Sequence, residues 1–316
     1  MFRPPRRGCE SPVAPLPPTE STRMLRAMKL RAVVLALLLA VGGWALGQRG
    51  PRMNFSPPAA GGNLTARDAV QHSNETPKWE NAPGFEKDVF TFVRIMYRSG
   101  RRTFHPYGGR RWQTDYPDAD LNLSYRLQQM TSMKVDPNCR VLELSDPELN
   151  RFPFIYIVEP GDLALTDEEV AILRRYLLNG GFLMVDDFWG EDEWANLADE
   201  MKRVFPEREF KDLPRDHPLF HCVFDIPNDL NLQIPNVVLG TNSQYTGITW
   251  EREDARETHI RAIYDDKNRI IVIACHNTDN GDGWEREGEN EYFFREFSEK
   301  KSYPLGINII FYAMTH

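Results

Sequence analysis

Apolar and polar positions alternate most regularly between residues 153 and 189, PFIYIVEPGDLALTDEEVAILRRYLLNGGFLMVDDFW. Phe154 to Val158 is a continuous run of β-forming residues, as expected of a strand buried on both faces of a parallel sheet. A second apolar run, Phe182 to Val185, ends at Asp186 and Asp187. Between the two runs the apolar positions recur at helical spacing, so the stretch predicts one βαβ unit.

The helix of this unit has a start signal and a stop signal. Thr166 stands three residues before Glu169, which predicts a capping box: each residue's side chain accepts the other's backbone N–H. Leu173 and Leu177 lie on the expected buried side. Gly180 follows the last apolar position, where a left-handed cap usually ends a helix.

The remaining pattern predicts a mixed α/β chain with a mostly parallel sheet and an edge hairpin. The expected strands are Val89 to Tyr97, Arg140 to Leu144, and a hairpin of His259 to Tyr264 with Arg269 to Cys275. The expected helices are one beginning after Pro117 with Leu123, Leu127 and Met130 buried, one through Trp194 and Val204, Glu289 to Glu299, and Leu305 to Met314. Two segments are predicted to be loop-rich: residues 208–247, with one or two short strands, and residues 276–287.

The amino terminus is predicted to be a secretory signal at residues 1–47 rather than part of the fold. Basic residues precede an apolar run at residues 32–46, and small residues allow cleavage before Gln48. The run is shorter than the roughly 20 apolar residues of a membrane-spanning helix, although an uncleaved anchor is the alternative. The Pro- and Arg-rich residues 1–23 suggest an over-extended start site. These features predict an exported, periplasmic or extracytoplasmic protein, bound to membrane only if the signal stays uncleaved.

Residues 48–84 are predicted to be a flexible linker, because they are rich in Pro, Gly, Asn and Ser and lack periodicity. Residues 85–316 are predicted to form the α/β domain. Residues 1–47 hold seven basic and two acidic side chains, so 31 basic and 44 acidic side chains remain beyond them, a net charge of about −13. Such a charge disfavours a nucleic-acid partner, since phosphate binding needs clustered Lys and Arg.

Five blocks of the sequence are distinctive as a set. In chain order they are WQTDYPDADLN, PFIYIVEP, LTDEEVAILRRYLLNGGFLMVDD, NTDNGDGWE and GINIIFYAMTH. Together they resemble the bacterial family known as domain of unknown function 4159 (DUF 4159). The resemblance covers about residues 85–316, and no activity is established for the family. It implies a three-layer, flavodoxin-like sandwich of the class I glutamine amidotransferase-like kind.

The residues of several enzyme classes are missing from the sequence. Glutaminase chemistry needs a cysteine in a G-x-C-x-G turn, and Cys139, Cys222 and Cys275 all lack that context. These three cysteines are interpreted as buried thiols, with at most one disulfide as the alternative. Motifs for serine hydrolases, P-loop proteins, dinucleotide binding and zinc are also absent. We therefore expect no catalytic residues of these types.

Acidic and amide side chains are what remain as candidate chemistry. They follow the predicted strands or open the helix after Pro117, so a parallel sheet would gather them at its carboxyl edge, where they could bind a ligand or a cation such as Mg²⁺ or Ca²⁺. Aromatic residues beside them could stack on a ligand. The alternative is that the polar residues only cap helices and build turns, and that the tryptophans only cover the sheet. The candidate ligand-binding residues are Asp118, Asp120, Asn122, Glu159, Asp186, Asp187, Trp189, Asn277, Asp279 and Trp284.

Two functions are consistent with this pattern. The leading hypothesis is a non-catalytic module of the cell envelope that binds a protein or a small molecule. The alternative is a metal-assisted hydrolase that uses Asp186 or Asp187 together with Asp118 or Asp120.

Overall fold

The structure is a computed structural model that describes residues 65–72, 75–84, 88–100 and 111–316. In this part of the chain, seven strands form one sheet. The strands are β1 Val93–Ile95, β2 Arg140–Leu142, β3 Phe154–Val158, β4 Phe182–Asp186, β5 Lys211–Asp212, β6 His259–Tyr264 and β7 Ile270–His276. Their spatial order is β2-β1-β3-β4-β7-β6-β5. The first five strands of that order are mutually parallel, whereas β6 runs antiparallel to β7 and β5 antiparallel to β6.

Helices lie between most of the consecutive strands. The α-helices are α1 Asp118–Met130, α2 Asp167–Leu178, α3 Gly190–Val204, α4 Val237–Thr246, α5 Asn280–Glu285, α6 Glu291–Phe293 and α7 Tyr303–Thr315. Helix α1 contacts α5 and α7, and α2 contacts α3. Within the described residues, no helix is both long and apolar enough to cross a membrane. A π-helix, Phe294–Ser302, joins α6 to α7, and short 3₁₀ turns occur at Ala66–Asp68, Arg111–Gln113, Leu149–Arg151, Pro160–Asp162 and Pro218–His221.

The predicted βαβ unit is confirmed as β3, α2 and β4. Every residue of both strands is buried, and the strands pair in register from Phe154 with Phe182 onward. The Glu169 N–H donates to the Thr166 hydroxyl at 3.2 Å, and the Glu169 carboxylate accepts the Thr166 N–H at 2.8 Å. Gly180 has a φ of 111°, so the helix ends in the left-handed conformation that glycine tolerates.

Other predictions need correction. The β6–β7 hairpin exists but is not an edge, because β7 pairs with β4 in the interior and the two-residue β5 closes the sheet beyond β6. Residues 208–247 contain the helix α4, which Asn236 caps by accepting the Leu239 N–H. Residues 276–287 contain α5 instead of a loop alone. Met130, predicted to be buried, is exposed as the last residue of α1.

Part of the predicted linker is packed against the domain. Ala66 is fully buried, and the Arg67 guanidinium donates to the backbone oxygens of Pro137 and Thr76 at 2.9 and 2.7 Å. The Thr76 hydroxyl in turn bonds to the side chain of Asn122. Although this segment is rich in Pro and Gly, polar side chains such as Arg67 and Thr76 hold it against the domain. The predicted signal, residues 1–47, lies outside the described residues.

Candidate functional site

Four polar residues near the carboxyl edge of the sheet share an unusual backbone conformation. Glu159 follows β3, Asp187 follows β4 and Asn277 follows β7, with φ of 45°, 56° and 60°. Asp115, with φ of 61°, precedes α1. A left-handed conformation is unfavourable for a residue with a Cβ, by about 1 kcal/mol or more, and such residues cluster at functional sites. The sheet edge is therefore built from strained turns that carry polar side chains.

Asp186 fixes the helix α5 to the end of β4. Its carboxylate accepts the backbone N–H groups of Asn280 and Gly281 at 3.0 and 3.2 Å and the Asn280 side-chain amide at 2.7 Å. The Tyr156 hydroxyl donates to the same carboxylate at 3.2 Å. Burial raises the pKa of Asp186 to about 7, and these donors oppose that rise. Asp186 thus positions α5 over the edge of the sheet.

With α5 in this position, two groups of three carboxylates come together and share Asp115. The first group is Asp115, Asp187 and Asp279; the second is Asp115, Asp282 and Glu285. In each group one carboxylate oxygen of every member lies within 4.8 Å of those of the other two. Among the described residues, these are the groupings of carboxylates or other metal-ligand side chains that could surround one ion.

Burial and mutual repulsion make these carboxyl groups hard to ionise. Burial raises the pKa of Asp187 well above its ordinary value, and the nearby charges of Glu159 and Asp115 raise it further. The pKa of Asp279 is raised in the same way by burial and then by Asp187 and Asp282. Burial also raises the pKa of Glu285 to about 8. The pocket will therefore carry either protons or a cation.

Electrostatic repulsion among three ionised carboxylates in one group would be large. The carboxylate oxygens lie within 4.8 Å of one another, and two unit charges at that largest distance repel by roughly 3.5 kcal/mol at an effective dielectric constant of about 20. Three such pairs together cost roughly 10 kcal/mol, which is comparable to the entire stability of a typical domain. Full ionisation without a compensating positive charge is therefore incompatible with a stable fold.

Asp115 and Gly281 are in close approach at the centre of the pocket. The Oδ2 atom of Asp115 is buried and accepts no hydrogen bond from the described residues. A Cβ atom added to Gly281 would lie 2.0 Å from this oxygen and 3.4 Å from Oδ1 of Asp279. Only glycine therefore leaves space for the Asp115 carboxylate at this position.

Two of the predicted candidates, Asp187 and Asp279, are thus brought together, and others are engaged elsewhere. Both carboxylate oxygens of Asp120 accept hydrogen bonds from Arg94, and both side chains are fully buried. Asp118 accepts the His72 N–H at 2.8 Å. Glu159 pairs with Arg111 at 2.9 Å and accepts the Thr114 hydroxyl at the same distance. Asp118, Asp120 and Glu159 are not members of either carboxylate group.

The predicted amide and aromatic candidates serve the architecture of the edge. Asn122 donates to the Trp284 carbonyl at 2.9 Å, and Asn277 accepts the Gly190 N–H at 2.8 Å. Trp284 is fully buried within the main core cluster. Trp189 is also buried, and its indole N–H donates to Asp187 at 3.1 Å. These tryptophans do not present free faces for stacking on a ligand.

The cysteines lie in surroundings that suppress nucleophilic chemistry. Cys139 has a φ of 54°, but it precedes β2, is fully buried and contacts the Ser124 hydroxyl at 3.2 Å. Burial raises the pKa of Cys139 and Cys275, and that of the half-buried Cys222, so all three thiols resist ionisation. All three are free thiols, and the alternative of one disulfide is wrong.

Three members of the carboxylate groups were not among the ligand-binding candidates predicted from the sequence: Asp115, Asp282 and Glu285. Asp115 and Asp282 belong to the acidic stretches of the sequence, but nothing in the pattern separated them from ordinary turn and cap residues. Glu285 follows Asp282 by three positions, which places both on one side of a helix. That spacing is the signal that would have found Glu285, had residues 280–285 been recognised as helical.

Comparison with known proteins supports the resemblance seen in the sequence. No curated protein matches the chain. A family model described as "Domain of unknown function (DUF4159)" matches residues 92–314, which include the whole sheet and every member of the two carboxylate groups. The chain therefore belongs to the DUF4159 family.

Proposed function

We propose that this protein is a non-catalytic binding module of the cell envelope, and that its ligand carries positive charge and binds the acidic pocket at the carboxyl edge of the sheet. The observation that carries this proposal is the packing of Asp187 and Asp279 against Asp115 in one group of carboxylates. The largest charge effects on the ionisation of Asp187 and Asp279 come from other acidic side chains. A cationic ligand would supply the missing positive charge.

The residues at the left-handed turns after two strands support a binding role. In α/β enzymes that use a nucleophile elbow, the reactive side chain occupies a strained turn between a strand and a helix. Here the left-handed positions after β3 and β4 carry Glu159 and Asp187. Carboxylates at these positions bind cations or accept protons more readily than they attack a carbonyl group.

A metal-assisted hydrolase is the second candidate, because Asp187 belongs to a group that could hold an ion. The pairing with Asp120 has less support, since Arg94 occupies both oxygens of Asp120. The two functions separate in one assay. Turnover of p-nitrophenyl phosphate or p-nitrophenyl acetate in the presence of Mg²⁺, lost in Asp187→Asn, would favour the hydrolase.

We propose further that the fold is the flavodoxin-like, amidotransferase-like sandwich. The parallel strands follow the order β2-β1-β3-β4-β7, which corresponds to the flavodoxin-like order 2-1-3-4-5. In that fold, the helix group of α1, α5 and α7 and the helix group of α2 and α3 would cover opposite faces. Ligands of such sheets bind outside the carboxyl ends of the strands, next to the point where the order reverses. Asp115, between β1 and α1, and Glu159, after β3, flank that point.

Export is proposed from the amino-terminal sequence. Arg26, Lys29 and Arg31 precede the apolar run at residues 32–46, as in a secretory signal. Intact-mass measurement of the protein recovered from outside the cytoplasm should give a chain that begins at Gln48. Recovery of a membrane-bound chain that retains residues 32–46 would instead support an anchor.

Thermal unfolding of the purified full chain tests the binding proposal. CaCl₂, MgCl₂, MnCl₂ and spermine should each be compared with NaCl at equal ionic strength, and at least one should raise the melting temperature. The double variant Asp187→Asn/Asp279→Asn should lose that rise. The control Asp199→Asn/Asp216→Asn removes the same charge from two exposed positions and should keep it. The proposal is overturned if no cation stabilises the wild-type chain beyond NaCl.

A further inference from the structure

We propose that Asp115, Asp187 and Asp279 form a site for one hard divalent cation, Mg²⁺ or Ca²⁺, and that the neighbouring group of Asp282 and Glu285 does not hold an ion. This inference rests on the proposed function and names the ligand of the same pocket. Carboxylate oxygens are the ligands that these cations prefer, and no histidine or cysteine belongs to the group in the part of the chain described.

The two groups differ in whether an arginine neutralises part of their negative charge. In the second group, Arg286 Nε lies 2.6 Å from Glu285 Oε2 and 3.6 Å from Asp282 Oδ1. This arginine already neutralises part of the negative charge there. The largest charge effects on Asp187 and Asp279 come from acidic neighbours instead. A divalent ion is therefore drawn to the first group.

An unpartnered oxygen belongs to Asp115, the residue that the two groups share. Oδ2 of Asp115 is buried and has no hydrogen-bond donor among the described residues, although a buried carboxylate oxygen normally has one. It lies against Gly281, where the missing side chain leaves space at the centre of the pocket. A metal ion would satisfy this oxygen.

The other two carboxylates are held in orientation by donors. The Trp189 indole N–H donates to Oδ1 of Asp187 at 3.1 Å, and the Asp282 N–H donates to Oδ1 of Asp279 at 2.7 Å. Each carboxylate thus has one oxygen fixed by a hydrogen bond. Metal-binding carboxylates are commonly oriented in this way. Waters would complete the coordination of the ion.

Access to the site is compatible with ion entry. Asp187 keeps 9% of its surface exposed, and Asp115 is only partly buried as a whole residue. Asp279, 4% exposed, lies deeper. The ion would therefore enter past Asp115 and Asp187 and reach Asp279 last.

The test measures metal binding directly. The full chain is stripped with EDTA and titrated with CaCl₂ and MgCl₂ by calorimetry, and the bound metal is counted by inductively coupled plasma mass spectrometry after dialysis. We expect one ion per chain for the wild type. Asp279→Asn should weaken binding by roughly tenfold or more. Glu285→Gln should leave both the affinity and the stoichiometry nearly unchanged.

Asparagine at position 279 is a suitable probe because it is also a good helix cap and can keep the bond to the Asp282 N–H. In EDTA, Asp279→Asn should melt at or above the wild-type temperature, since one repelling carboxyl group is gone. A variant that only damaged the fold would melt below the wild type both in EDTA and in CaCl₂, and that result would count against the metal site.

Three outcomes overturn the assignment. Equal losses of affinity in Glu285→Gln and Asp279→Asn would show that the second group holds the ion as well. Full binding in Asp279→Asn would place the ion elsewhere. Stabilisation by spermine without binding of Ca²⁺ or Mg²⁺ would support the proposed binding module and contradict the metal site. If no cation stabilised or bound the protein, both proposals would be contradicted.

Discussion

A Cβ atom at Gly281 would lie 2.0 Å from Oδ2 of Asp115. This close approach joins α5 to the turn before α1, two elements that are far apart in the sequence. The Asp115 carboxylate occupies space that any other residue at position 281 would fill. The shape of the acidic pocket therefore depends on a glycine as much as on its carboxylates.

Gly281→Ala should displace the Asp115 carboxylate and reduce stabilisation by divalent cations. Overpacking of this kind typically costs about 1 to 3 kcal/mol of unfolding free energy. Urea unfolding with and without CaCl₂ measures both effects. The double variant Gly281→Ala/Asp115→Ala serves as the control, because it removes the clash. It should be more stable than Gly281→Ala, and strict additivity of the two single changes would contradict the contact.

Without metal, the protein should lose stability as the pH rises from 6.5 to 8. The pKa of Glu285 is about 8 in the fold against an ordinary 4.5, so the folded state holds a proton that the unfolded state has released. The pKa values of Asp115, Asp187 and Asp279 are also raised by burial and by neighbouring acids. Melting temperatures measured in EDTA across this range test the prediction.

The limits of this range follow from two other groups. Burial lowers the pKa of His276 to about 4, so below pH 6.5 this histidine makes stability rise with pH. Burial lowers the pKa of Lys301 to about 8, with the same effect above that pH. Saturating CaCl₂ should reduce the part of the slope that comes from Asp115, Asp187 and Asp279, and it should leave the part that comes from Glu285. A slope that is unchanged by CaCl₂ would argue against a cation at these carboxylates.

Asp120→Asn should strongly destabilise the protein while leaving cation binding intact. Arg94 and Asp120 form a fully buried ion pair, and breaking such a pair by removing one partner costs about 3 to 5 kcal/mol. Urea unfolding gives the loss of stability, and calorimetry with CaCl₂ gives the affinity of the folded variant. Loss of cation binding in the folded Asp120→Asn protein would assign Asp120 to the pocket instead.

Thr166→Ala should cost about 1 kcal/mol of unfolding free energy, because the substitution removes the side-chain acceptor that caps α2. Chemical denaturation measures the change. Thr241→Ala is the matched control, since Thr241 lies inside α4, where alanine has the higher helix propensity. Equal effects of the two substitutions would remove the capping box as a source of stability.

Local sequence signals predicted the central unit well. The run from Phe154 to Val158, the cap at Thr166 and the glycine stop at Gly180 each act over a few residues, so they are readable without tertiary context. The same signals placed Asp187 at the end of a strand. The prediction that strand ends would gather acidic residues at one edge followed from the parallel sheet.

The rest depended on contacts between distant residues. Helix α5 is short and rich in glycine, so its propensity predicted a loop, and the Asp186 carboxylate stabilises it by accepting its first N–H groups. Asp120 was indistinguishable in sequence from its neighbour Asp118, and only its position opposite Arg94 makes it structural. Membership of the carboxylate groups was decided by tertiary packing, which residue spacing does not encode.

The left-handed turns at Glu159, Asp187 and Asn277 set an evolutionary trade-off at the edge of the sheet. Glycine would relieve the backbone strain at each of these positions, so selection for heat resistance alone would favour glycine there. Relatives that have given up the pocket should accumulate glycine at the position of Asp187 first, because Glu159 and Asn277 also make contacts outside the pocket. Relatives that retain an acid at the position of Asp187, despite its strained backbone, identify themselves as ones in which the pocket is still in use.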